Sequence, residues 1–179
     1  MREQSRKIAL CGITGGLAAT VMLMGGILPL ATFCAPAIAG ILIMPIAIEY
    51  GKKSGALLYV AISLLAIFLV PDKEMSLIFI FFLGYYPLLK ALLEKLPSRL
   101  WRIIAKFCVF NASVLCMYGL VLFLFPLPYL TAEFAQGGMG FAALLLLMGN
   151  ITFWIYDLAV ARIVYVYCAT LRPRLMKKQ

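Results

Sequence analysis

The stretch IALCGITGGLAATVMLMGGIL, residues 8–28, contains no charged side chain and decides how the rest of the chain is read. A helix of this length rises by 1.5 Å per residue and is long enough to cross the ~30 Å hydrocarbon core of a bilayer. Arg2, Arg6 and Lys7 come immediately before it. This combination predicts a membrane-spanning helix whose N-terminal end lies in the cytoplasm.

Five further apolar runs follow the first, at residues 35–50, 54–70, 75–93, 105–125 and 140–169. Six spans and their short connections use nearly all of the 179 residues. We therefore expect an all-α fold, with residues 1–179 forming a single polytopic membrane domain of six transmembrane helices.

The basic residues predict the orientation of these spans. With the N-terminus inside, 15 of the 16 lysines and arginines fall at cytoplasmic ends, and only Lys73 lies outside. Lysine and arginine in short loops are the charges that set orientation. Both termini are thus predicted to be cytoplasmic, in a multi-pass membrane protein.

Composition excludes several classes of function. The chain is 65% hydrophobic and 13% charged, whereas about a quarter of the residues of a soluble domain are charged. Its net charge of +9 is spread over separate juxtamembrane segments, which favours contact with anionic lipid over nucleic acid. The chain has no histidine, and neither paired carboxylates nor a phosphate-binding loop are recognisable. We therefore expect no enzyme activity, cofactor or metal site.

The first span carries small residues at helical spacing. Gly12 and Gly16 are four apart, and Gly15 and Ala19 repeat that spacing on the neighbouring ridge. Such spacing lets another helix backbone approach closely. Packing within the bundle and docking of a partner protein are both consistent with it.

Two connections are longer than the others. Residues 90–106, KALLEKLPSRLWRIIAK, are basic and periodically apolar and contain Pro97, which predicts a turn and an amphipathic approach to the fifth span. Residues 125–140, FPLPYLTAEFAQGGMG, carry prolines and then glycines, which predict an external loop.

Polar side chains at membrane depth are few. Asn150, Trp154 and Asp157 lie at i, i+4 and i+7, so they share one face of the sixth span and form a candidate ligand-contacting wall. The alternative is a structural role, with Asp157 paired to another helix and Asn150 to a backbone group. Asn111 is expected to pack, and Arg162 to extend to the inner surface.

Two other groups have both a functional and a structural interpretation. Tyr85 and Tyr86 precede Pro87, which frees the carbonyl four residues back, so they either line a pocket beside a kink or pack as aromatic side chains. Asp72, Lys73 and Glu74 form a charged external cluster that either caps a pocket or is a solvated turn.

These features together resemble one protein family. Six helices in 179 residues, cytoplasmic termini, a small-residue first helix and a long proline- and glycine-bearing loop before the last helix are similar to the substrate-binding S-component of energy-coupling-factor (ECF) transporters. The resemblance spans essentially the whole chain. That family typically carries Ala-x-x-x-Ala in its first helix, where this chain has Gly12-x-x-x-Gly16 and Gly15-x-x-x-Ala19.

The resemblance implies a function and a set of contacts. It implies capture of a vitamin-like organic micronutrient from outside, and transport driven by an ECF T-component and two ATPase subunits. The first-helix ridges would dock these partners. The substrate would be held by residues of the later helices and capped by the external cluster: Tyr85, Tyr86, Tyr118, Asn150 and Trp154, with Asp72, Lys73 and Glu74.

Other readings stay open beside the transporter. A membrane scaffold similar to the rod-shape protein MreD also has six helices in a short chain, and would use the first-helix ridge to hold partners without a ligand. A different small carrier and a small membrane enzyme are further alternatives. A closed, aromatic-lined cavity is expected of the binding subunit, and a filled interior of the scaffold.

Overall fold

The computed structural model describes the backbone of residues 2–28, 31–123 and 128–172, and the side chains of residues 4–28, 31–121, 140, 143–170 and 172. Every regular element in these ranges is helical, which confirms the predicted all-α class. Six helices follow in chain order along these ranges: α1 Arg2–Gly25, α2 Cys34–Tyr50, α3 Lys52–Leu69, α4 Lys73–Leu93, α5 Arg99–Phe123 and α6 Pro128–Val166.

The lengths of these helices suit a bilayer. Among the described residues, five stretches are long and apolar enough to cross it: Gln4–Gly25, Lys52–Leu69, Lys73–Leu93, Arg99–Val121 and Ala143–Thr170. The remaining apolar helix, α2, has 17 residues and is about 26 Å long. Helices of this length and composition define a multi-pass membrane protein.

The chain divides into two compact units. The first unit covers Met1–Leu92 and Val160–Gln179. In its described part α1, α2 and α3 pack against one another, and α4 packs on α2 and α3. The core side chains between them include Met22, Ile43, Ile62, Met75 and Phe79, each of which is at most 1% exposed.

A glycine brings three helices of this unit close together. A methyl group at Gly55 of α3 would lie 2.8 Å from Cβ of Ala47 on α2 and 2.9 Å from Cδ2 of Leu88 on α4. Only a residue without a side chain fits that gap. The close approach lets main-chain and methyl groups pack directly, which is the main attraction between helices in lipid.

Helix α4 is interrupted near its middle. It is α-helical over Lys73–Ile78, π-helical over Phe79–Leu83 and α-helical again over Tyr86–Leu93. Pro87 has no N–H for the carbonyl four residues earlier, so it removes one hydrogen bond from the helix and favours a kink there. The predicted break before Pro87 is confirmed, and it takes the form of a π-turn.

The second unit covers Leu93–Ala159 and contains α5 and most of α6. These two helices run antiparallel, because residue 106 meets 157 and residue 111 meets 150. The Phe110 and Phe153 rings stack between those pairs with centroids 4.8 Å apart. A single domain over residues 1–179 stays a prediction.

The connections around α5 and α6 differ in how well they were predicted. Helix α4 ends at Leu93 and α5 begins at Arg99, so the turn around Pro97 is confirmed. The loop predicted over 125–140 is wrong in its described part, because α6 already begins at Pro128. Proline is tolerated in the first helical turn, since the N–H it lacks has no partner there. The predictions for Pro126 and for the basic residues beyond 172 lie outside the described residues.

Candidate functional site

The two small-residue ridges of α1 have different surroundings. Added methyl groups at Gly12 and Gly16 would meet no atom within 4 Å, and both positions are exposed. An added methyl at Gly15, by contrast, would lie 3.1 Å from Cδ1 of Leu58 on α3. The structure therefore places Gly12 and Gly16 on an open face of the first unit and Gly15 on its packed face.

The second ridge continues into the packed face. Ala18 and Met22 are fully buried, and Ala19 lines an apolar crevice with Ile62 and Ala66 of α3. The crevice is too narrow to admit a water molecule. Gly15 and Ala19 thus serve packing between α1 and α3, while Gly12 and Gly16 are left for contact with lipid or another protein.

The charged cluster before α4 joins two helices. The Asp72 carboxylate accepts a hydrogen bond from the amide of Met75 at 3.1 Å and from the hydroxyl of Thr32 at 3.3 Å. The Lys73 ammonium donates to the carbonyls of Ile67 and Val70 at 2.8 and 2.9 Å, at the C-terminal end of α3. These bonds satisfy backbone groups that helix ends leave unpaired.

This geometry assigns Asp72 and Lys73 a structural role in the junction between α3 and α4. The hydrogen bonds of Asp72 and Lys73 to protein groups distinguish this segment from a fully solvated turn, which is one of the two interpretations of the sequence. Glu74 lies in the first turn of α4, where a negative charge is favourable beside the positive end of the helix.

The π-turn of α4 redirects one backbone hydrogen bond. The amide of Gly84 bonds the carbonyl of Phe79 at 2.8 Å, five residues back, instead of that of Ile80. The hydroxyl of Tyr59 on α3 donates to the Ile80 carbonyl at 2.6 Å. A neighbouring helix thus supplies the bond that the π-turn withdraws, as apolar surroundings require.

Gly84 makes this arrangement sterically possible. A methyl group there would lie 2.8 Å from Cε2 of Tyr59 and 2.8 Å from the carbonyl oxygen of Phe79. The Tyr59 ring lies edge-on to that of Tyr85, with centroids 6.2 Å apart. Tyr59 was not selected from the sequence, because nothing in its spacing distinguishes it from other apolar-face residues.

The two predicted tyrosines differ in accessibility. Tyr86 is fully buried, and its ring centroid lies 4.9 Å from that of Phe82. Tyr85 is half-buried and also contacts Phe82, edge-on at 6.4 Å. The contacts of Tyr86 are those of a packed aromatic side chain, which was the structural alternative.

Asn150 is held by a reciprocal amide pair. Its side-chain amide donates to Oδ1 of Asn111 at 3.1 Å, and the Asn111 amide donates back at 3.0 Å. Each also donates to the carbonyl four residues earlier in its own helix, Leu146 and Phe107. The amide pair therefore links α5 to α6, and Asn111 does more than pack.

Asp157 pairs with a lysine on the facing helix. The Lys106 ammonium lies 3.1 and 3.0 Å from the two carboxylate oxygens, and the side chains are 13% and 16% exposed. Lys106 also reaches Glu94 at 3.5 Å. Asp157 is thus paired to another helix, as its structural interpretation predicted, and Lys106 was assigned from sequence only to the inner surface.

Phe153 lies on the face of α6 that carries Asn150 and Asp157. It is 3% exposed and contacts the rings of Phe107 and Phe110. Trp154, which the spacing predicts on the same face as a ligand contact, is 59% exposed, and the described ring contacts with α5 are made by Phe153 instead. Tyr118, on α5, is half-buried.

One ion pair at the end of the chain was not anticipated. Glu49, near the C-terminal end of α2, lies 3.3 Å from Nε of Arg172 and accepts from the hydroxyl of Tyr167 at 3.4 Å. A separation of 118 residues between Glu49 and Tyr167 leaves no signal in a single sequence.

Among the described residues, no group of three acidic, cysteine or histidine side chains lies close enough to hold a metal ion. The site features are therefore helix contacts, an open ridge and buried polar pairs within a helical membrane protein. No family model, curated protein or solved structure matches this chain.

Proposed function

We propose that the chain is the substrate-binding subunit of an ECF-type uptake transporter in a bacterial plasma membrane. It captures a vitamin-like organic micronutrient on the outer side and hands it to a T-component and two ATPase subunits. Six apolar helices, the predicted orientation and the resemblance in the first helix support this proposal. The chain carries no recognisable ATP-binding loop, so the energy would come from the partners.

The open ridge formed by Gly12 and Gly16 is the observation that carries the proposal. Nothing within the described structure lies within 4 Å of a methyl group added at either position. Exposed small residues at this spacing allow a second membrane helix to approach closely. A docked transport module is the partner that the family resemblance implies.

The ligand test begins with thermal unfolding of the purified protein against a panel of vitamins and their precursors. A ligand at a hundred times its dissociation constant adds about 2.7 kcal/mol to the free energy of unfolding. For a chain of this size that corresponds to a rise of roughly 5–11 °C in Tm. No rise with any compound of a broad panel argues against a binding subunit.

Trp154 is the side chain on which to base the site test, because it is 59% exposed whereas Tyr86 is buried and Asn150 is paired with Asn111. Trp154→Ala is expected to abolish the rise in Tm. Ile155→Ala removes a comparably exposed side chain, 61% against 59%, and is expected to keep it. Tyr86→Ala is unsuitable, since removing a fully buried ring destabilises the fold itself.

Docking is tested separately from ligand binding. In Gly12→Leu/Gly16→Leu, two bulky side chains obstruct the open ridge, so uptake into cells is expected to fall while the ligand-induced rise in Tm persists. Ala56→Leu adds bulk at an exposed position of α3 and is the matched control. Equal uptake by the ridge variant and the control would exclude the ridge as a docking surface.

A membrane scaffold of the MreD type is the second candidate. It is favoured by the engagement of predicted ligand residues in internal contacts, with Tyr86 buried, Asn150 paired and Asp72 and Lys73 capping helices. A scaffold needs the same open ridge and no ligand. Loss of cell shape or of complex assembly in the ridge variant, with no compound shifting Tm, would favour it.

A further inference from the structure

A basic and aromatic surface lies where α5 begins. The turn and first helical residues carry Lys95, Arg99 and Arg102, beside Leu100 and Trp101, which are 71% and 65% exposed. Tryptophan and arginine at the end of a membrane-spanning helix are typical of the headgroup region of a bilayer. The arrangement therefore places positive charge at the depth of lipid phosphates.

The positive charge here lacks compensation within the described part of the chain. Arg99, Arg102 and Lys106 follow one another at i, i+3 and i+7, on one face of α5. Lys106 is neutralised by Asp157 and Glu94, and among the described side chains no carboxylate lies within 4 Å of Arg99 or Arg102. Nε of Arg102 is buried and has no hydrogen-bond partner in the described structure.

The N-terminal end of α5 also favours a bound anion. The first turn of α5 carries no acidic residue, although the N-terminal end of a helix bears partial positive charge and favours negative groups. The first N–H groups of a helix lack partners within the helix and can donate to phosphate oxygens, although the amide of Arg102 already bonds the Ser98 carbonyl at 3.1 Å. Two guanidinium groups at a positive helix end form a local excess of positive charge that a bound anion would relieve.

We propose that this surface binds the headgroup of an anionic glycerophospholipid. Arg99 and Arg102 hold the phosphate, since guanidinium groups match phosphate oxygens with paired hydrogen bonds. Leu100 and Trp101 lie against the upper acyl chain, and the basic residues predict this side of the membrane to be cytoplasmic. The proposal does not depend on the transport function, because it concerns the lipid contact alone.

Trp101 provides a local readout, since Trp101 and Trp154 are the only tryptophans of the chain. The Trp154→Phe protein is placed in bilayers with a fixed ratio of phosphatidylglycerol to phosphatidylcholine. Either lipid carries the same quencher near the top of its acyl chain. Each basic residue near an anionic surface contributes about fivefold in affinity, so Trp101 is expected to be quenched at least about fivefold more effectively by labelled phosphatidylglycerol.

Variants distinguish a specific lipid-binding site from general electrostatic attraction of the protein to an anionic membrane. Arg99→Gln/Arg102→Gln is expected to abolish the preference for phosphatidylglycerol. Arg99→Lys/Arg102→Lys is expected to keep part of this preference, which would also demonstrate that substitutions at these two positions are compatible with folding. Lys52→Gln/Lys53→Gln removes the same charge from the exposed start of α3 and is expected to keep the full preference.

Three results would overturn the proposal. The first is equal quenching by both lipids in the Trp154→Phe protein. The second is an equal loss of preference in the arginine variant and in the lysine control, which would indicate a diffuse surface potential. The third is a change in Trp101 emission on adding inorganic phosphate to phosphatidylcholine bilayers without any lipid preference, which would assign the surface to a soluble anion.

Discussion

Replacing Lys106 by methionine is expected to destabilise the protein more than replacing Asp157 by asparagine. Both side chains belong to one largely buried ion pair with contacts of 3.0 and 3.1 Å. Asp157→Asn leaves the ammonium beside Glu94, 3.5 Å away. Lys106→Met instead leaves a carboxylate at membrane depth without its ammonium, so the two losses are unequal.

The magnitudes follow from the geometry of the pair. Two unit charges 3 Å apart attract by about 5 kcal/mol at an effective dielectric constant of about 20, before the cost of desolvation. Removing one partner of a buried pair costs about 3–5 kcal/mol. Since the side chains retain 13% and 16% exposure, we expect a loss of about 3 kcal/mol for Lys106→Met and about 2 kcal/mol for Asp157→Asn.

The assay is reversible unfolding in mixed micelles, followed by far-ultraviolet circular dichroism. Lys106→Met/Asp157→Asn removes both charges and is expected to be more stable than Lys106→Met alone, because no buried charge is left unpaired. Thr152→Val, an exposed change on the same helix, serves as control and is expected to change stability by less than about 0.5 kcal/mol. A double-variant loss equal to the sum of the single losses would refute the reasoning.

Two further predictions use the same unfolding measurement. Tyr59→Phe leaves the Ile80 carbonyl without its 2.6 Å hydrogen bond and is expected to cost about 1–2 kcal/mol, whereas Tyr165→Phe, at a 72% exposed position, is expected to cost little. Equal losses in the two tyrosine variants would contradict the role given to the π-turn. Asn111→Leu separates the amide pair and is expected to cost about 1 kcal/mol, with Asn111→Leu/Asn150→Leu costing less than the two single changes together. Strict additivity would mean that the amides do not interact.

The helical spans were accessible from the sequence because apolar length alone decides whether a segment crosses a bilayer. Residues 8–28 and 54–70 were predicted as spans, and helices occupy them almost entirely. The loop predicted over 125–140 is wrong in its described part for an equally simple reason. Proline and glycine usually end helices, yet proline at the first position of α6 costs nothing, and glycine costs only about 1 kcal/mol per residue.

The candidate site was predicted less completely than the fold. Small residues on α1 and polar residues on α6 were selected correctly as unusual, but their sequence positions carry no information about their partners. Asn150, Trp154 and Asp157 were assigned to one face; Asn150 and Asp157 both contact α5, as helical periodicity predicts, whereas Trp154 is 59% exposed. That this face meets Asn111 and Lys106 depends on the register between two helices.

Composition, apolar run length and the placement of lysine and arginine determined by themselves that this is a helical membrane chain, since those properties act one segment at a time. Tertiary structure alone decided which glycine ridge of α1 is open, which carbonyl Tyr59 satisfies and which cation faces Asp157. Each of these depends on how two helices pack side by side. A shift of one residue in that packing changes the partners while leaving every local pattern in the sequence intact.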